Sequence, residues 1–224
     1  MDELARRGDR GIWDYLQDPT PRFPPTARHR GPEFLRLLGL CLLIALATGP
    51  LTAVVSAVGD ADNRLDDVTP LFVVIVGVLV APVLEELTFR LPLGPLRPWW
   101  LLVSGLCLGS IDPRLGIVAL VVAGAVVAAA PLRRAVVRFW AERFPVVFFG
   151  SAVVFGLVHA TNWHFNRPAL AFLMLPLLVL PQGLIGVVLG YTRVRMGLRG
   201  SMLLHATYNG TVLGLAAVLS MAAG

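Results

Sequence analysis

Two carboxylates and an arginine stand at the end of an apolar run, at Glu85, Glu86 and Arg90. An ionised side chain near the centre of a bilayer costs roughly 2.5 to 3.5 kcal/mol, so such groups indicate function or tight mutual pairing. In a helix, Glu86 and Arg90 share a face in the favourable acid-before-base order, whereas Glu85 projects about 100° away. We therefore expect a structural ion pair between Glu86 and Arg90 that supports the site and leaves Glu85 free for chemistry.

Two further apolar runs carry polar residues four positions apart. Phe155 precedes His159 by four residues, and His205 precedes Asn209 by the same interval. Residues with this spacing lie on one face of a helix, so Phe155 is expected to position the His159 ring. His205 and Asn209 would face the same way and could bind one group between them. Taken singly, each pair is also typical of hydrogen bonding between packed membrane helices.

Together, the three motifs supply what peptide hydrolysis requires. Glu85 and His159 could hold and deprotonate a water molecule. His205 and Asn209 could then donate hydrogen bonds to the oxyanion, a stabilisation typically worth ~3 to 4 kcal/mol per donor. The predicted catalytic residues are Glu85, His159, His205 and Asn209.

The motifs EExxxR, FxxxH and HxxxN, in that order, resemble those of the CPBP family, which comprises the CAAX prenyl protease and bacteriocin-processing intramembrane endopeptidases, also called Abi proteins. The resemblance covers residues 68–217. It implies that Glu85 is similar to the catalytic glutamate, His159 to its partner, and His205 with Asn209 to the oxyanion-stabilising pair. The helical faces of Glu85 and Glu86, described above, indicate the same glutamate without use of the resemblance.

The family has also been described as metallopeptidases by analogy, and two histidines with a glutamate could bind zinc. A zinc-binding HExxH pair on one helix is absent from the sequence, and an asparagine would be an unusual zinc ligand. We therefore favour a metal-free reaction without a cofactor. A zinc site of Glu85, His159 and His205 is the second choice.

The elements that carry these residues are expected to be membrane helices. Of the 224 residues, 56% are hydrophobic and 15% are charged, and the mean hydropathy is +0.74, which predicts an all-α polytopic membrane bundle. About seven spans are predicted, at residues 34–58, 68–89, 99–111, 115–131, 144–160, 169–191 and 200–223. The third is short, so residues 99–131 could instead form a re-entrant helical hairpin inserted between the first and second motifs.

The distribution of charge predicts the orientation of the bundle. All 19 basic residues are arginines, and 16 of them lie on the side of the N-terminus, which the positive-inside rule assigns to the cytoplasm. Residues 1–32 are predicted to be a flexible arginine-rich and proline-rich cytoplasmic tail, followed by a protease domain at 33–224. The basic pI is explained by this topology and by contact with the lipid bilayer, so no nucleic-acid partner is expected.

Counting along the helices places the two halves of the site at different depths. At ~1.5 Å per residue, Glu85 lies about 5 Å from the cytoplasmic face, but His159 lies about 22 Å from it if its span begins at Phe144. This count predicts that the two side chains cannot share a water unless the helix is tilted or the boundaries differ.

The expected substrate is a membrane-anchored peptide or protein, cleaved near the cytoplasmic half of the bilayer. An alanine-rich and valine-rich chain without lysine suggests a high-GC bacterium and its plasma membrane, where prenylated CAAX substrates are not expected. A non-catalytic membrane scaffold or immunity-type protein of the same fold is the alternative function, and a proton-coupled transporter is the third. The two cysteines, Cys41 and Cys107, have no metal-ligand spacing and imply no disulfide.

Overall fold

The computed structural model describes residues 11–21, 30–64 and 69–223 of the chain. Within them the protein is mostly α-helical, as predicted. In chain order the helices are α1 (Ile12–Gln17), α2 (Arg30–Gly59), α3 (Pro70–Ile75), α4 (Ala81–Phe89), α5 (Trp100–Ile111), α6 (Pro113–Ala128), α7 (Ala130–Glu142), α8 (Phe144–Val158) and α9 (Pro168–Ala223). A π-helical turn, Val76–Val80, joins α3 to α4.

Four helical stretches of the described chain are long and apolar enough to cross a membrane. They are Gly31–Gly59, Leu71–Phe89, Phe144–Asn162 and Leu173–Leu219, and a bent pair of helices raises the number to five at most. These stretches agree with an integral membrane protein. The expected count of seven is not confirmed. The predicted start of the second span, at Val68, lies outside the described residues.

The third and fourth predicted spans form a helical hairpin in the structure. The third is α5, whose 12 residues are too few to span a bilayer. The fourth is α6, which packs against α5 and then bends by 106° into α7. The carboxylate of Asp112 caps the start of α6 by accepting hydrogen bonds from the backbone N–H groups of Arg114 and Leu115. The hairpin contacts the glutamate helix through Ser104, whose hydroxyl donates to the Leu87 carbonyl at 2.9 Å.

The predicted sixth and seventh spans belong to one long helical element, α9. Gly197 interrupts it with non-helical backbone angles, φ 81° and ψ 176°. A positive φ is accessible to glycine because glycine has no Cβ atom. This break falls between the predicted end of one span at residue 191 and the start of the next at residue 200, so α9 has two arms.

One small β-sheet departs from the all-α prediction. Strand β1 (Ala61–Asn63) pairs antiparallel with β2 (Trp163–Phe165), so that the end of α2 is tied to the end of α8. The Asn166 side chain extends this connection by donating to the carboxylates of Asp60 and Asp62.

Part of the predicted flexible tail is ordered in the structure. Residues Ile12–Gln17 form α1, and the ring of Tyr15 is fully buried against Phe148 and Tyr191 in edge-on contacts. The Tyr15 hydroxyl donates to the Thr20 carbonyl at 2.8 Å, which satisfies its polar end. The tail prediction therefore does not describe residues 11–21. Residues 1–10 and 22–29 lie outside the described part of the chain.

Helices α8 and α9 pack at close range through small residues. A Cβ atom on Gly156 would lie 3.1 Å from both the Gly183 nitrogen and the Val179 carbonyl oxygen, so a larger residue would push the two backbones apart by a few tenths of an ångström. Small residues at helix contacts are typical of membrane bundles, where close backbone approach maximises dispersion contacts. This contact holds the FxxxH helix beside the first arm of α9.

Candidate active site

The two glutamates on α4 have different surroundings. Glu86 is fully buried, whereas the Glu85 side chain retains 16% exposure and lines a cavity. The 100° rotation per residue in a helix accounts for this divergence. Among the described residues, Glu85 Oε2 has no hydrogen-bond partner. Glu85 is therefore the glutamate that can still accept a proton or a hydrogen bond from a ligand.

Glu86 is held by three polar side chains. Arg90 Nε lies 3.7 Å from Glu86 Oε1, and His205 Nδ1 lies 3.2 Å from the same oxygen. The Ser201 hydroxyl donates to the other carboxylate oxygen, Oε2. The structure thus contains the predicted Glu86–Arg90 contact and adds two partners from the second arm of α9. A buried carboxylate needs such compensation because it has lost its water shell.

Arg90 is also fully buried and contacts several elements. Its Nη2 donates to the Gly186 carbonyl at 3.2 Å, and its guanidinium carbon lies 4.0 Å from the centre of the Phe155 ring. A cation over an aromatic face is attracted by the ring quadrupole, and burial strengthens that attraction. Arg193 Nε donates to the Arg90 carbonyl at 2.9 Å, so a second arginine, which belongs to α9, anchors the end of α4.

His205 lies between the two carboxylates. Its Nδ1 faces Glu86, and its Nε2 lies 3.5 Å from Glu85 Oε2. Carboxylates accept hydrogen bonds, so this position suits an imidazole that carries a proton on both nitrogens. In that state the charges of Glu85, Glu86, Arg90 and His205 sum to zero, which limits the cost of placing them among apolar helices.

His159 begins a 3₁₀ turn, His159–Asn162, at the end of α8. Its Nδ1 lies 2.8 Å from the Phe155 carbonyl oxygen, and because a carbonyl can only accept, Nδ1 carries the proton of this hydrogen bond. In the neutral ring, Nε2 is then left as an acceptor. The Phe155 ring packs edge-on against the imidazole at 4.7 Å. Both the backbone and the ring of Phe155 therefore orient His159.

Asn209 contacts the π-helical turn that precedes α4. Its Nδ2 donates to the Gly77 carbonyl at 2.7 Å, and Asn209 retains a second N–H and its side-chain oxygen. A Cβ atom on Gly77 would lie 2.6 Å from Leu213 Cδ1, so the side chain of Leu213 on α9 packs directly against this glycine. The widened turn and the absence of a side chain thus bring Asn209 to the glutamate helix.

A single cavity of about 350 Å³ is lined by all four predicted catalytic side chains, Glu85, His159, His205 and Asn209. Its wall also contains Gln182 and Tyr208, and apolar residues from α3 and the second arm of α9. The sequence motifs, which are separated by up to 124 positions from Glu85 to Asn209, therefore meet at one place.

The depth count is wrong in its conclusion that Glu85 and His159 lie too far apart. The Ser151 hydroxyl donates to the Phe89 carbonyl at 2.7 Å, which aligns the end of α4 with the middle of α8. The first seven residues of α8, about 10 Å of helix, therefore extend beyond the end of α4. Glu85 lies four residues before Phe89, and Phe155 lies four residues after Ser151. Glu85 and Phe155 are therefore at the same level along the two helices, one helical turn from His159.

Ser201 and Gln182 were not among the predicted site residues. Ser201 contacts Glu86, and Gln182 lines the cavity from the first arm of α9. Ser201 precedes His205 by four residues, so the same spacing that links His205 to Asn209 could have identified it. Gln182 lies among prolines and glycines, and its only signal was an amide in an apolar helix.

The described parts of the chain contain no group of three or more His, Cys, Asp or Glu side chains that could hold a metal ion. The alternative zinc ligands Glu85, His159 and His205 line one cavity, but the Nδ1 atoms of both histidines already contact protein oxygens. A zinc ion bound by these residues would have to use the two Nε2 atoms and a different arrangement of the three side chains.

The family model of the type II CAAX prenyl endopeptidase Rce1-like proteins matches residues 67–211, which include both glutamates, both site histidines and Asn209. The chain belongs to this family. The resemblance to the CPBP and CAAX protease group is therefore confirmed, and the Rce1-like match extends across the hairpin of α5 and α6. Comparisons with curated proteins and with solved structures gave no match.

Membership of the Rce1-like family and the apolar helices together identify a CAAX-protease-type peptidase of the membrane. They do not favour the scaffold or transporter alternatives. In this Rce1-like chain, the polar residues of the three motifs face a shared cavity and each other, whereas large apolar side chains such as Leu46, Leu71 and Val153 are exposed on the outer surface of the bundle.

Proposed function

We propose that the protein is a multi-pass intramembrane endopeptidase that uses water activated by Glu85 and His159. The observation that carries this proposal is the convergence of Glu85, His159, His205 and Asn209 on one cavity within apolar helices. A cavity that gathers an acid, two imidazoles and a carboxamide satisfies the requirements of amide hydrolysis: a base, a position for water and donors for an oxyanion.

In the first step, the Glu85 carboxylate and the Nε2 lone pair of His159 accept hydrogen bonds from one water molecule. Glu85 removes a proton as the water oxygen bonds to the scissile carbonyl carbon, and the carbonyl oxygen becomes an oxyanion. General base catalysis of this kind contributes typically ~10²–10⁴-fold to the rate. The hydrogen bond from His159 Nδ1 to the Phe155 carbonyl keeps the required lone pair on Nε2.

The oxyanion would be stabilised by His205 and Asn209. In the free protein, His205 Nε2 faces Glu85 across 3.5 Å. When Glu85 takes the proton it loses its negative charge, so the N–H of His205 is released to the new oxyanion. The second N–H of Asn209, beyond the one bonded to Gly77, supplies another donor. Glu85 then protonates the leaving nitrogen as the C–N bond breaks, giving a carboxylate and an amine.

We propose that no metal or other cofactor takes part, with zinc as the second choice. The substrate class is a membrane-anchored peptide or protein, and the family description names CAAX prenyl endopeptidases. The cavity wall includes Asn63 of β1 and Trp163 of β2, which the arginine distribution assigns to the outer side of a bacterial plasma membrane. We therefore propose that the cavity opens toward that side, and cleavage of the scissile bond near the cytoplasmic half of the bilayer stays a prediction.

The test is cleavage of quenched membrane peptides, with and without a prenyl group, by purified protein in detergent. Wild type is compared with Glu85→Gln and with Glu142→Gln, an exposed glutamate that serves as the matched control. We expect Glu85→Gln to lower kcat by at least about 100-fold without loss of folded protein, and Glu142→Gln to match wild type. Activity should resist a chelator.

Three results would contradict parts of this proposal. Equal activity of Glu85→Gln and wild type would remove Glu85 as the base. Loss of wild-type activity on chelation, with recovery on adding zinc, would establish the metal alternative. Absence of cleavage across prenylated and unprenylated peptides, in a folded protein within native lipid, would favour the non-catalytic scaffold.

A further inference from the structure

A second cavity, of about 490 Å³, adjoins the active-site cavity. It lies between α2, the two-stranded sheet of β1 and β2, and the first arm of α9. Four residues line both cavities: Asn63, Trp163, Gln182 and Tyr208. The two spaces therefore share a wall, and the wall is polar on both sides.

One face of α2 gives this second cavity its polar character. Thr48, Thr52 and Ser56 are spaced four residues apart, are half-buried and contribute to its lining. On the opposite face of the same helix, Leu46 is 74% exposed and Val54 is 60% exposed. The helix thus has an outer apolar face and an inner hydroxyl face along the same turns.

The hydroxyl groups of this face all donate hydrogen bonds to backbone carbonyls. Thr48 donates to the Ile44 carbonyl at 2.7 Å, Thr52 to the Thr48 carbonyl at 3.0 Å, and Ser56 to the Ala61 carbonyl at 2.5 Å. Each oxygen therefore presents only lone pairs to the cavity. These acceptors require a ligand that donates hydrogen bonds.

Gln182 adds another acceptor at the boundary between the two cavities. Its Oε1 atom is buried and has no hydrogen-bond partner among the described residues. A buried amide oxygen without a donor typically costs ~1 to 3 kcal/mol, so a donor from outside the protein is expected there. Water is the smallest such donor, and the cavity exceeds the ~30 Å³ that one water occupies in the liquid.

We propose that this second cavity is the route by which water reaches Glu85, with Gln182 at the junction between the two spaces. The inference rests on the proposed hydrolytic function, since each cleavage consumes one water molecule. The hydroxyl face of α2 forms the outer part of the route. Gln182 accepts a hydrogen bond from each passing water and keeps the route connected to the catalytic cavity.

The first test measures water in the cavity without using peptidase activity. Single cysteines replace Thr48 or Thr52 on the hydroxyl face, and Leu46 or Val54 on the apolar face, in a protein whose Cys41 and Cys107 are changed to alanine. A charged thiol reagent reacts with the thiolate, which forms only where water reaches the sulfur. We expect Thr48→Cys and Thr52→Cys to react at least about tenfold faster than Leu46→Cys and Val54→Cys.

The second test measures the supply of water to the reaction. Thr52→Leu replaces a hydroxyl with an apolar side chain on the route, Thr52→Ser keeps the hydroxyl, and Val54→Leu alters the opposite face. We expect Thr52→Leu to lower kcat about tenfold with KM unchanged, and the other two variants to match wild type.

Equal labelling on the two faces of α2 would overturn the proposal. So would protection of Thr52→Cys by a bound peptide, together with a raised KM in Thr52→Leu, because the cavity would then be a peptide-binding subsite. Labelling does not depend on catalysis. The experiments therefore distinguish a protein in which Glu85 is not the base from one in which the second cavity contains no water.

Discussion

His205 Nδ1 lies 3.2 Å from Glu86 Oε1, and this contact joins the glutamate helix α4 to the second arm of α9. The Ser201 hydroxyl, one turn earlier on the same arm, donates to the other oxygen of Glu86. Both oxygens of one buried carboxylate are thus used to hold two helices together. Glu86 therefore has a structural role, whereas the side chain of its neighbour Glu85 lines the cavity.

This arrangement predicts that Glu86→Gln destabilises the protein. Loss of the charge would leave Arg90 buried without its carboxylate, and breaking one side of a buried pair typically costs ~3 to 5 kcal/mol. Thermal unfolding in detergent should show a clearly lower midpoint for Glu86→Gln. Glu85→Gln and Glu142→Gln should unfold close to wild type. An unchanged midpoint for Glu86→Gln would show that Arg90 does not depend on this charge.

A second prediction separates the positioning role of Phe155 from its packing role. Its ring contacts Arg90, His159 and His205 at 4.0, 4.7 and 5.9 Å. Phe148 lies two turns earlier in α8, is equally buried, and contacts aromatic rings outside the site. Both Phe→Leu changes should lower stability by about 1 to 2 kcal/mol, but only Phe155→Leu should also lower kcat. Peptide cleavage and thermal unfolding of the two variants, compared side by side, provide the check.

The close contact between α8 and α9 gives a third prediction. Gly156→Ala would place a Cβ atom 3.1 Å from backbone atoms of α9, whereas Gly150, on the same helix, has open space around its own Cβ position. Gly150→Ala should be neutral or stabilising by up to ~1 kcal/mol through helix propensity. Gly156→Ala should lower the unfolding midpoint. If the two alanine variants behave alike, the close approach of the two helices is not what glycine at position 156 is needed for.

A fourth prediction concerns orientation. Single cysteines at Arg167, which follows strand β2, and at Arg134, on α7, should differ in their reaction with a membrane-impermeant thiol reagent applied to intact cells. The positive-inside rule predicts labelling at position 167 and protection at position 134 until the cells are opened. Reversed labelling would move the N-terminus and the arginine-rich helix α7 to the outside.

Four-residue spacing was the most reliable sequence signal in this chain. It brought together Glu86 with Arg90 and Phe155 with His159, because partners one helical turn apart stay close whatever the tertiary packing. Hydropathy likewise predicted the apolar helices, since the cost of exposing polar backbone in lipid leaves few alternatives.

Features that depend on how helices slide past one another could not be predicted from periodicity. The hydrogen bond from Ser151 to Phe89 sets the register of α8 against α4, and a serine in an apolar run carries no information about its distant partner. Burial of Tyr15 similarly depends on Phe148 and Tyr191, which lie far along the chain. A polar, proline-rich surrounding sequence gave no sign that the Tyr15 ring packs in the core.

The number of residues in the π-helical turn at Val76–Val80 sets how far the preceding helix is rotated about its axis relative to Glu85. A π turn holds one more residue than an α turn over the same hydrogen-bonded cycle, so removing a single residue would restore regular α-helix. Such a deletion would rotate everything before it by about 100° relative to Glu85. The Gly77 carbonyl would then turn away from Asn209. The length of the segment before the glutamates therefore determines which backbone carbonyl oxygen faces Asn209, and a change of one residue would present a different oxygen.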